Sequence, residues 1–254
     1  GDTIHFVRFA KSLKKLGART LVHIQPALLA LIQGCEGIDQ LIPNSLGVEE
    51  SFDYHCSLLD VAKVLEIDDT NVPSDVPYIR IPINLIQYWE GVLTRALPPA
   101  KLRVGIVWQG NPDHQADMFR SVPLRELTPL ADLEGIQLIS LQQGAGTEQL
   151  ANWKGSQIIY CLPENIDKSS GAFMDTSAIL QHLDLVVTSD TSMAHLAGAL
   201  ARPTCVMLGF TPDWRWMQKR SDSPWYPNCR LFRQPRVGDW ESVVSQIKNH
   251  IASQ

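Results

Sequence analysis

Residues 183–216 read LDLVVTSDTSMAHLAGALARPTCVMLGFTPDWRW. The fold is decided here, because strand, polar turn, helix, strand and polar loop follow one another without interruption. The run 183–187 is apolar and rich in Val and Leu, and the change to Thr188, Ser189, Asp190, Thr191 and Ser192 marks the end of a buried parallel strand. From Met193 to Arg202 the Ala, Leu and His residues recur at helical spacing until Pro203 stops the helix, and residues 204–208 begin the next strand. In an open parallel sheet, ligands bind beyond the carboxyl ends of the strands. Asp190 and Thr211 both stand at such ends, so the pattern predicts that they line one crevice. Ser192 and His195 are three apart at the helix start and share a face, where the free N–H groups of the first turn favour an anion. Each residue also has a plainer reading: Asp and Ser at a helix start are common caps, and a His in a first turn is commonly a packed structural residue.

The same alternation continues outward. Strands are predicted at 103–108, 136–141, 157–161 and 231–232, and helices at 124–133, 147–153, 175–182, 193–201 and 240–251. Such alternation makes a parallel sheet with helices on both faces, since right-handed crossovers must cover it. Residues 1–98 carry a second βαβ rhythm: strands at 19–24 and 38–42, a helix at 25–33 after Pro26, a strand or turn running into a helix over 52–65, and a helix over 83–97. Residues 1–16, GDTIHFVRFAKSLKKL, read as one amphipathic helix with Ile4, Val7, Phe9, Leu13 and Leu16 near one side and Lys11, Lys14 and Lys15 on the other. A parallel fold should have a strand immediately before that helix, so the first strand of this unit is missing from the chain. Pro98-Pro99 breaks the preceding helix and is the best linker, which divides the chain into 1–98 and 99–254. The chain opens without an initiator Met, as a piece excised from a longer protein would.

With 254 residues, 44% of them hydrophobic, the chain can bury substantial cores, and a formal net charge of −5 argues against a nucleic-acid binder. No apolar run approaches the ~18 residues that a membrane-spanning helix needs. Cys35, Cys56, Cys161, Cys205 and Cys229 form no CxxC pair, so reduced thiols and a cytoplasmic location are expected, with neither a zinc site nor a disulfide framework. No GxGxxG or P-loop occurs, which removes the usual NAD and ATP signatures. His114 with Asp113 and Asp117 imitates a metal site, but three polar residues in one loop are weak evidence, and no metal is expected.

Four strand ends carry polar or glycine-rich turns that should converge at one sheet edge: Trp108-Gln109-Gly110-Asn111, Gln142-Gln143-Gly144, Thr188-Ser189-Asp190-Thr191 and Gly209-Phe210-Thr211. The loop 111–121, NPDHQADMFRS, adds Arg120, whose guanidinium pairs with phosphate oxygens in a charge-assisted fork. The aromatic segments 213–216 and 223–227 suit stacking on sugar or base rings, yet packing over a sheet edge is their expected role; Arg230, Arg233 and Arg236 add positive charge beyond them.

At this point a resemblance carries further. SDTSMAHLAGAL followed by LGFTPD resembles the donor-site signature of family 9 glycosyltransferases, the lipopolysaccharide heptosyltransferases and their relatives: Asp-Thr-Gly, a His and an Ala-rich helix, then Gly-Pro-Thr. Ser192 stands in place of that glycine and Phe210 in place of that proline. The loop before Ser121-Val122-Pro123, and the order DWRW, SPWYP, LFRQPRVGDW, resemble the family 9-like domain fused to tetratricopeptide repeats in bacterial proteins. The resemblance implies a GT-B-like α/β architecture, with two Rossmann-like parallel-sheet domains facing a cleft: an acceptor-side domain over 1–98 and a nucleotide-sugar domain over 99–254. It implies inverting, metal-independent transfer of a hexosyl or heptosyl group from a nucleoside diphosphate sugar to a hydroxyl of a glycan or protein, with no further cofactor and with upstream tetratricopeptide repeats as companions. Trp108, Gln109, Gly110, Arg120, Gln142, Asp190, Thr191, Ser192, His195, Gly209 and Thr211 would hold the donor. Gly1-Asp2 matches the Gly-Asp that closes the first strand of family 9 enzymes, which implies Asp2 as general base; without that strand Asp2 is expected to fray, and capping of the first helix is its plainer role. The alternative is a non-catalytic nucleotide-sugar or glycan-binding module attached to upstream repeats.

Overall fold

The computed structural model of the protein describes residues 1–253. Strands β1 (Leu21–Ile24) and β2 (Gln40–Pro43) form a small parallel sheet. Strands β3 (Leu102–Val107), β4 (Ile136–Ser140), β5 (Tyr160–Cys161), β6 (Leu185–Ser189), β7 (Thr204–Leu208) and β8 (Cys229–Arg233) form a six-stranded, all-parallel sheet in the order β5-β4-β3-β6-β7-β8. The strand order reverses between β3 and β6. Chain leaving their carboxyl ends diverges there and opens a crevice, which is where ligands sit in open α/β sheets.

Helices α1 (Asp2–Phe6), α2 (Phe9–Lys15), α3 (Leu29–Ile32), α4 (Leu58–Val64) and α5 (Ile83–Ala96) belong to the first hundred residues, and α6 (Asp117–Arg120), α7 (Met174–Leu180), α8 (Ser192–Ala199) and α9 (Trp240–Ala252) to the remainder. The period-2 alternation of the large sheet sends Val104, Ile106, Leu185, Val187, Cys205 and Met207 toward α9, and Val186 toward α7 and α8. The second of these cores also takes Ile4, Val7, Ile24, Leu31, Trp89 and Leu93. The two sheets on either side of Pro98-Pro99 therefore share one apolar layer.

Three local expectations are corrected. Residues 1–16 are two helices, broken at Val7–Arg8, because the buried Arg8 turns inward: Nε donates to the carbonyl of His5 (2.9 Å), Nη1 to those of Trp225 (2.6 Å) and Pro73 (3.2 Å), and Nη2 to the Tyr78 hydroxyl (3.0 Å). An intrahelical acceptor is thereby spent on a side chain, and Leu16 at the far end is exposed. Residues 124–132 and 147–152 are 3₁₀ turns instead of α-helices, and in the first Pro129 lacks the N–H that an α-helix requires. Strand β5 shrinks to two residues at the sheet edge. All five cysteines are free thiols, and among the described residues no helix is long and apolar enough to cross a membrane.

Candidate functional site

A cleft of ≈ 880 Å³ lies beyond the carboxyl ends of β3, β4, β6 and β7, and Gly1 and Asp2, where the start of α1 packs beside the start of α8, also line it. Every residue expected at the donor site lines it except Trp108. Trp108 is fully buried among Val122, Leu124 and Leu127, and its Nε1 donates to the carbonyl of Gly146 (3.2 Å). The polar turn at this strand end predicts Trp108 on the cleft edge; alternation with Val104 and Ile106 instead turns the indole down into the core.

Strand β6 ends at Ser189 and passes through Asp190 into α8, where Thr191 Oγ1 accepts from the N–H of Met193 (3.3 Å) as the helix cap. The cap is thus Thr191 and neither Asp190 nor Ser192, and Ser192, Met193 and His195 carry the helix start onto the cleft wall. Asp190 Oδ1 accepts from Nε1 of Trp216 (2.7 Å), and the Asp190 carbonyl accepts from Nη1 of Arg120 (3.2 Å). Burial pushes the Asp190 carboxyl above the usual carboxylate range, against the Trp216 bond. His195 packs parallel to Trp216 (centroids 5.3 Å, 11°) with Nδ1 3.1 Å from the Tyr226 hydroxyl. Burial, followed by the charges of the amino terminus, Arg215 and Arg8, holds its pKa well below the ordinary value, so the ring is neutral.

The β3 and β4 loops are stitched together by Gln142. Its Oε1 accepts from the N–H groups of Trp108 (3.1 Å) and Gln109 (3.0 Å), and its Nε2 donates to the carbonyls of Gln109 (3.0 Å) and Ala145 (2.8 Å). That is a strut holding two loops at a fixed separation; its amide has little left for a ligand. Gln109 Oε1 in turn accepts from Gln149 Nε2 (2.8 Å). Arg120 on α6 pairs with Asp117 through Nε (3.2 Å), and Asp117 Oδ2 accepts from Ser121 Oγ (2.9 Å), which accepts from the N–H of Gly110 (3.0 Å). Gly209 is needed for the same packing, because a Cβ there would lie 2.5 Å from the Phe119 carbonyl oxygen. A bare backbone at the end of β7 is what seats α6 over the cleft.

Asp2, at the start of α1, is not frayed. Arg215 Nη2 donates to Asp2 Oδ1 (2.7 Å) and Nη1 to Asp213 Oδ1 (2.9 Å), while the guanidinium lies 5.0 Å from the Phe6 ring centroid and 5.1 Å from that of Trp214. Arg215, Asp213 and Asp167 line the cleft and were missed. Arg215 hides inside DWRW, where the aromatics drew the reading toward packing; Trp216, Trp225 and Tyr226 do pack, with only Trp214 of that group exposed. Asp167 follows β5 in a left-handed conformation (φ 62°) and accepts from the N–H (3.0 Å) and Oγ1 (2.5 Å) of Thr176; its one sequence signal is its place after a strand end. Arg233 donates to the carbonyls of Trp216, Met217 and Arg220, and Arg236 pairs with Asp239, so the basic segment after Trp225 braces the chain away from the cleft. The cleft wall holds the carboxylates Asp2, Asp167, Asp190 and Asp213 against the guanidinium groups of Arg120 and Arg215. Among the described residues no group of three or more His, Cys, Asp or Glu side chains is arranged to hold a metal.

Residues 172–244 match the family profile described as glycosyltransferase family 9 (heptosyltransferase). The chain is 24% identical over 202 residues to Protein FlbA of Caulobacter vibrioides, an alignment that takes in 78% of this chain and 33% of FlbA. It spans about a third of the length of that relative. Among solved structures, it superimposes on the glycosyl transferase family 9 protein of Veillonella parvula with a TM-score of 0.71 at 12% identity, covering 100% of this chain and 93% of the other. Against the E. coli ADP-heptose lps heptosyltransferase II the TM-score is 0.64 at 12% identity, covering 99% and 95%. The shared fold is α/β with parallel sheets, in the GT-B-like form of family 9 structures.

Proposed function

We propose that the protein is a glycosyltransferase that moves a sugar from a nucleoside diphosphate sugar to a hydroxyl of a glycan or protein, with inversion and without a metal ion. The observation that carries this reading is the start of α8, Asp190 to His195, with Arg120 beside it at the point where the strand order reverses and with Asp2 at the adjoining start of α1. Helix N–H groups and a guanidinium are fixed donors for diphosphate oxygens, and they are worth most as negative charge grows on the leaving group. In the transfer, an acceptor hydroxyl forms a new bond to the anomeric carbon as the bond from that carbon to the diphosphate oxygen breaks. The hydroxyl proton passes to the Asp2 carboxylate, and the nucleoside diphosphate leaves with the electron pair. Asp190 and Asp167, acceptors with spare lone pairs, take hydrogen bonds from donor hydroxyls. The heptosyltransferase match over residues 172–244, and the ADP-heptose named for the E. coli structure, make an ADP-sugar the first donor to try. An accompanying array of tetratricopeptide repeats belongs to the same proposal.

One observation favours a rival, a binding module without catalysis: Asp2, the proposed base, is already in an ion pair with Arg215. A panel of nucleotide sugars separates the two by thermal shift followed by product analysis, since a ligand at 100 times its Kd stabilises the native state by about 2.7 kcal/mol. A selective donor that is hydrolysed or transferred supports the enzyme; a selective ligand left intact supports the module. Repeating the titration in chelator tests metal independence, and an affinity that collapses and returns with magnesium or manganese refutes it.

A further inference from the structure

The structure assigns to Tyr226 a positioning role that no comparison supplies: we propose that its hydroxyl fixes the His195 imidazole as the Nε2–H tautomer, so that the ring presents an N–H donor to an anionic or hydroxyl oxygen in the cleft. The Tyr226 hydroxyl lies 3.1 Å from Nδ1. With Nδ1 turned to Tyr226, the ring edge carrying Nε2 is the one left for the cleft, and a Cβ on Gly1, another lining residue, would lie 3.4 Å from the adjoining Cδ2.

Which of the two atoms carries the shared proton follows from the surroundings of the hydroxyl. The Arg8 guanidinium carbon sits 4.5 Å from the Tyr226 ring centroid and 4.7 Å from that of Tyr78. The Tyr78 hydroxyl donates to the Ile4 carbonyl (2.8 Å) and accepts from Arg8 Nη2 (3.0 Å). The interior beyond Tyr226 is therefore cationic, poor ground for an O–H to point into. Tyr226 is fully buried, and a buried hydroxyl needs an acceptor; the Tyr78 hydroxyl also interacts with it but already accepts from Arg8 and donates to the Ile4 carbonyl, which leaves Nδ1, at 3.1 Å, as the acceptor. Nδ1 then accepts, and in a neutral ring the proton must sit on Nε2. Burial keeps the ring neutral.

Two further contacts are built for this arrangement. Gly198 lies one turn after His195 on α8, and a Cβ there would fall 2.5 Å from Tyr226 Cγ, so the bare helix backbone is what admits the phenol beside the imidazole. The stack on Trp216 fixes the plane of the ring. The inference rests on the donor-site reading only for what the N–H meets, not for the tautomer itself.

Long-range ¹H–¹⁵N correlation NMR of the histidine rings, on the ligand-free protein near neutral pH, tests it directly. The expected spectrum gives His195 a protonated Nε2 and an unprotonated Nδ1; an Nδ1–H ring or an imidazolium overturns the proposal. Tyr226→Phe should replace the single tautomer by a mixture and weaken ADP binding several-fold, whereas an unchanged His195 signature in that variant removes the role from Tyr226. His195→Gln, whose amide nitrogen reaches the place of Nε2, should keep more ADP affinity than His195→Asn, which mimics Nδ1; equal losses would refute the donor role. If neither ADP nor UDP binds while wild-type His195 is the Nε2–H form, the donor-site reading fails and the tautomer assignment stands.

Discussion

Asp190 and His195 are each held from behind, by Trp216 and Tyr226, and each keeps a polar edge on the cleft. Removing either should leave a donor group without its partner, at a cost of roughly 1–3 kcal/mol in binding. Asp190→Ala and His195→Ala are expected to weaken nucleotide-sugar affinity by that amount in calorimetric titration, with the fold intact; full affinity in both would return these residues to packing. Asp2 is a different test, because its expected contribution is to rate. Asp2→Asn keeps the geometry toward Arg215 but cannot take a proton, so transfer should fall by ~10²- to 10⁴-fold while donor affinity is retained. Near-normal turnover would mean that the Asp2–Arg215 pair is only a brace between α1 and the loop after β7. Arg215 shows why the residue scale was half legible. A helix-start Asp and His announce themselves by spacing, but an arginine that spans two carboxylates from different parts of the chain acquires its meaning only when the chain folds.

Strand β7 is the element of highest legibility: the pattern predicts residues 204–208 and Thr204–Leu208 forms, because Pro203 and Gly209 punctuate a fully buried run that is apolar after Thr204. Helix α8 was legible for the same reason, with Thr191 as its cap. The first sixteen residues were not, since their apolar periodicity says nothing of an Arg8 guanidinium that takes carbonyls from His5, Pro73 and Trp225 and breaks the helix. Trp108 misled in the other direction: its strand end is on the cleft, its side chain in the core. Gly209 carries the prediction at this scale. Its missing Cβ admits the Phe119 carbonyl, and that contact seats α6 with Arg120 against the β6–α8 turn. Gly209→Ala must push α6 away from the sheet, because the obstructing atom is backbone and cannot rotate aside. The expected result is a loss of ADP affinity comparable to that of Arg120→Ala, together with increased proteolysis within 111–121. An affinity equal to wild type would show that α6 is not held by this contact.

Across the whole molecule, α1 and α8 meet in a buried cluster whose members come from both halves of the chain: His5, Phe6, His195, Trp216, Trp225 and Tyr226. The His5 ring lies 4.7 Å from that of His195, and neither of its nitrogens has a hydrogen-bond partner. Burial first, then the charges of His195, Arg8, Arg215 and the amino terminus, holds its pKa well below the ordinary value, as burial does for His195. Both rings are therefore neutral in the folded protein and protonate readily once unfolded, where a histidine titrates near ~6.5. The unfolded state binds more protons as pH falls below that value, so stability rises with pH, is complete above it, and is lost on acidification through it. Each ring contributes a slope that averages about 0.7 kcal/mol per pH unit between pH 7 and 6 and approaches ~1.4 below that, and the pair roughly twice as much. Asp190 and Asp167, whose carboxyls burial raises, act with the opposite sign, while the amino terminus and His250, whose pKa values burial lowers, add to the acid loss, so substitution is needed to isolate the two rings between about pH 7 and 6. Urea unfolding across that interval should show a loss of stability on acidification, and His5→Phe should reduce the slope by the share of one ring. The phenyl ring keeps the contacts with Phe6 and Trp225 and leaves no nitrogen unpaired, so this variant should also be the more stable one on the acid side. A pH-independent wild type, or a His5→Phe variant with the full slope, would place the titration elsewhere and would mean that the shared core between the two halves does not keep these imidazoles neutral.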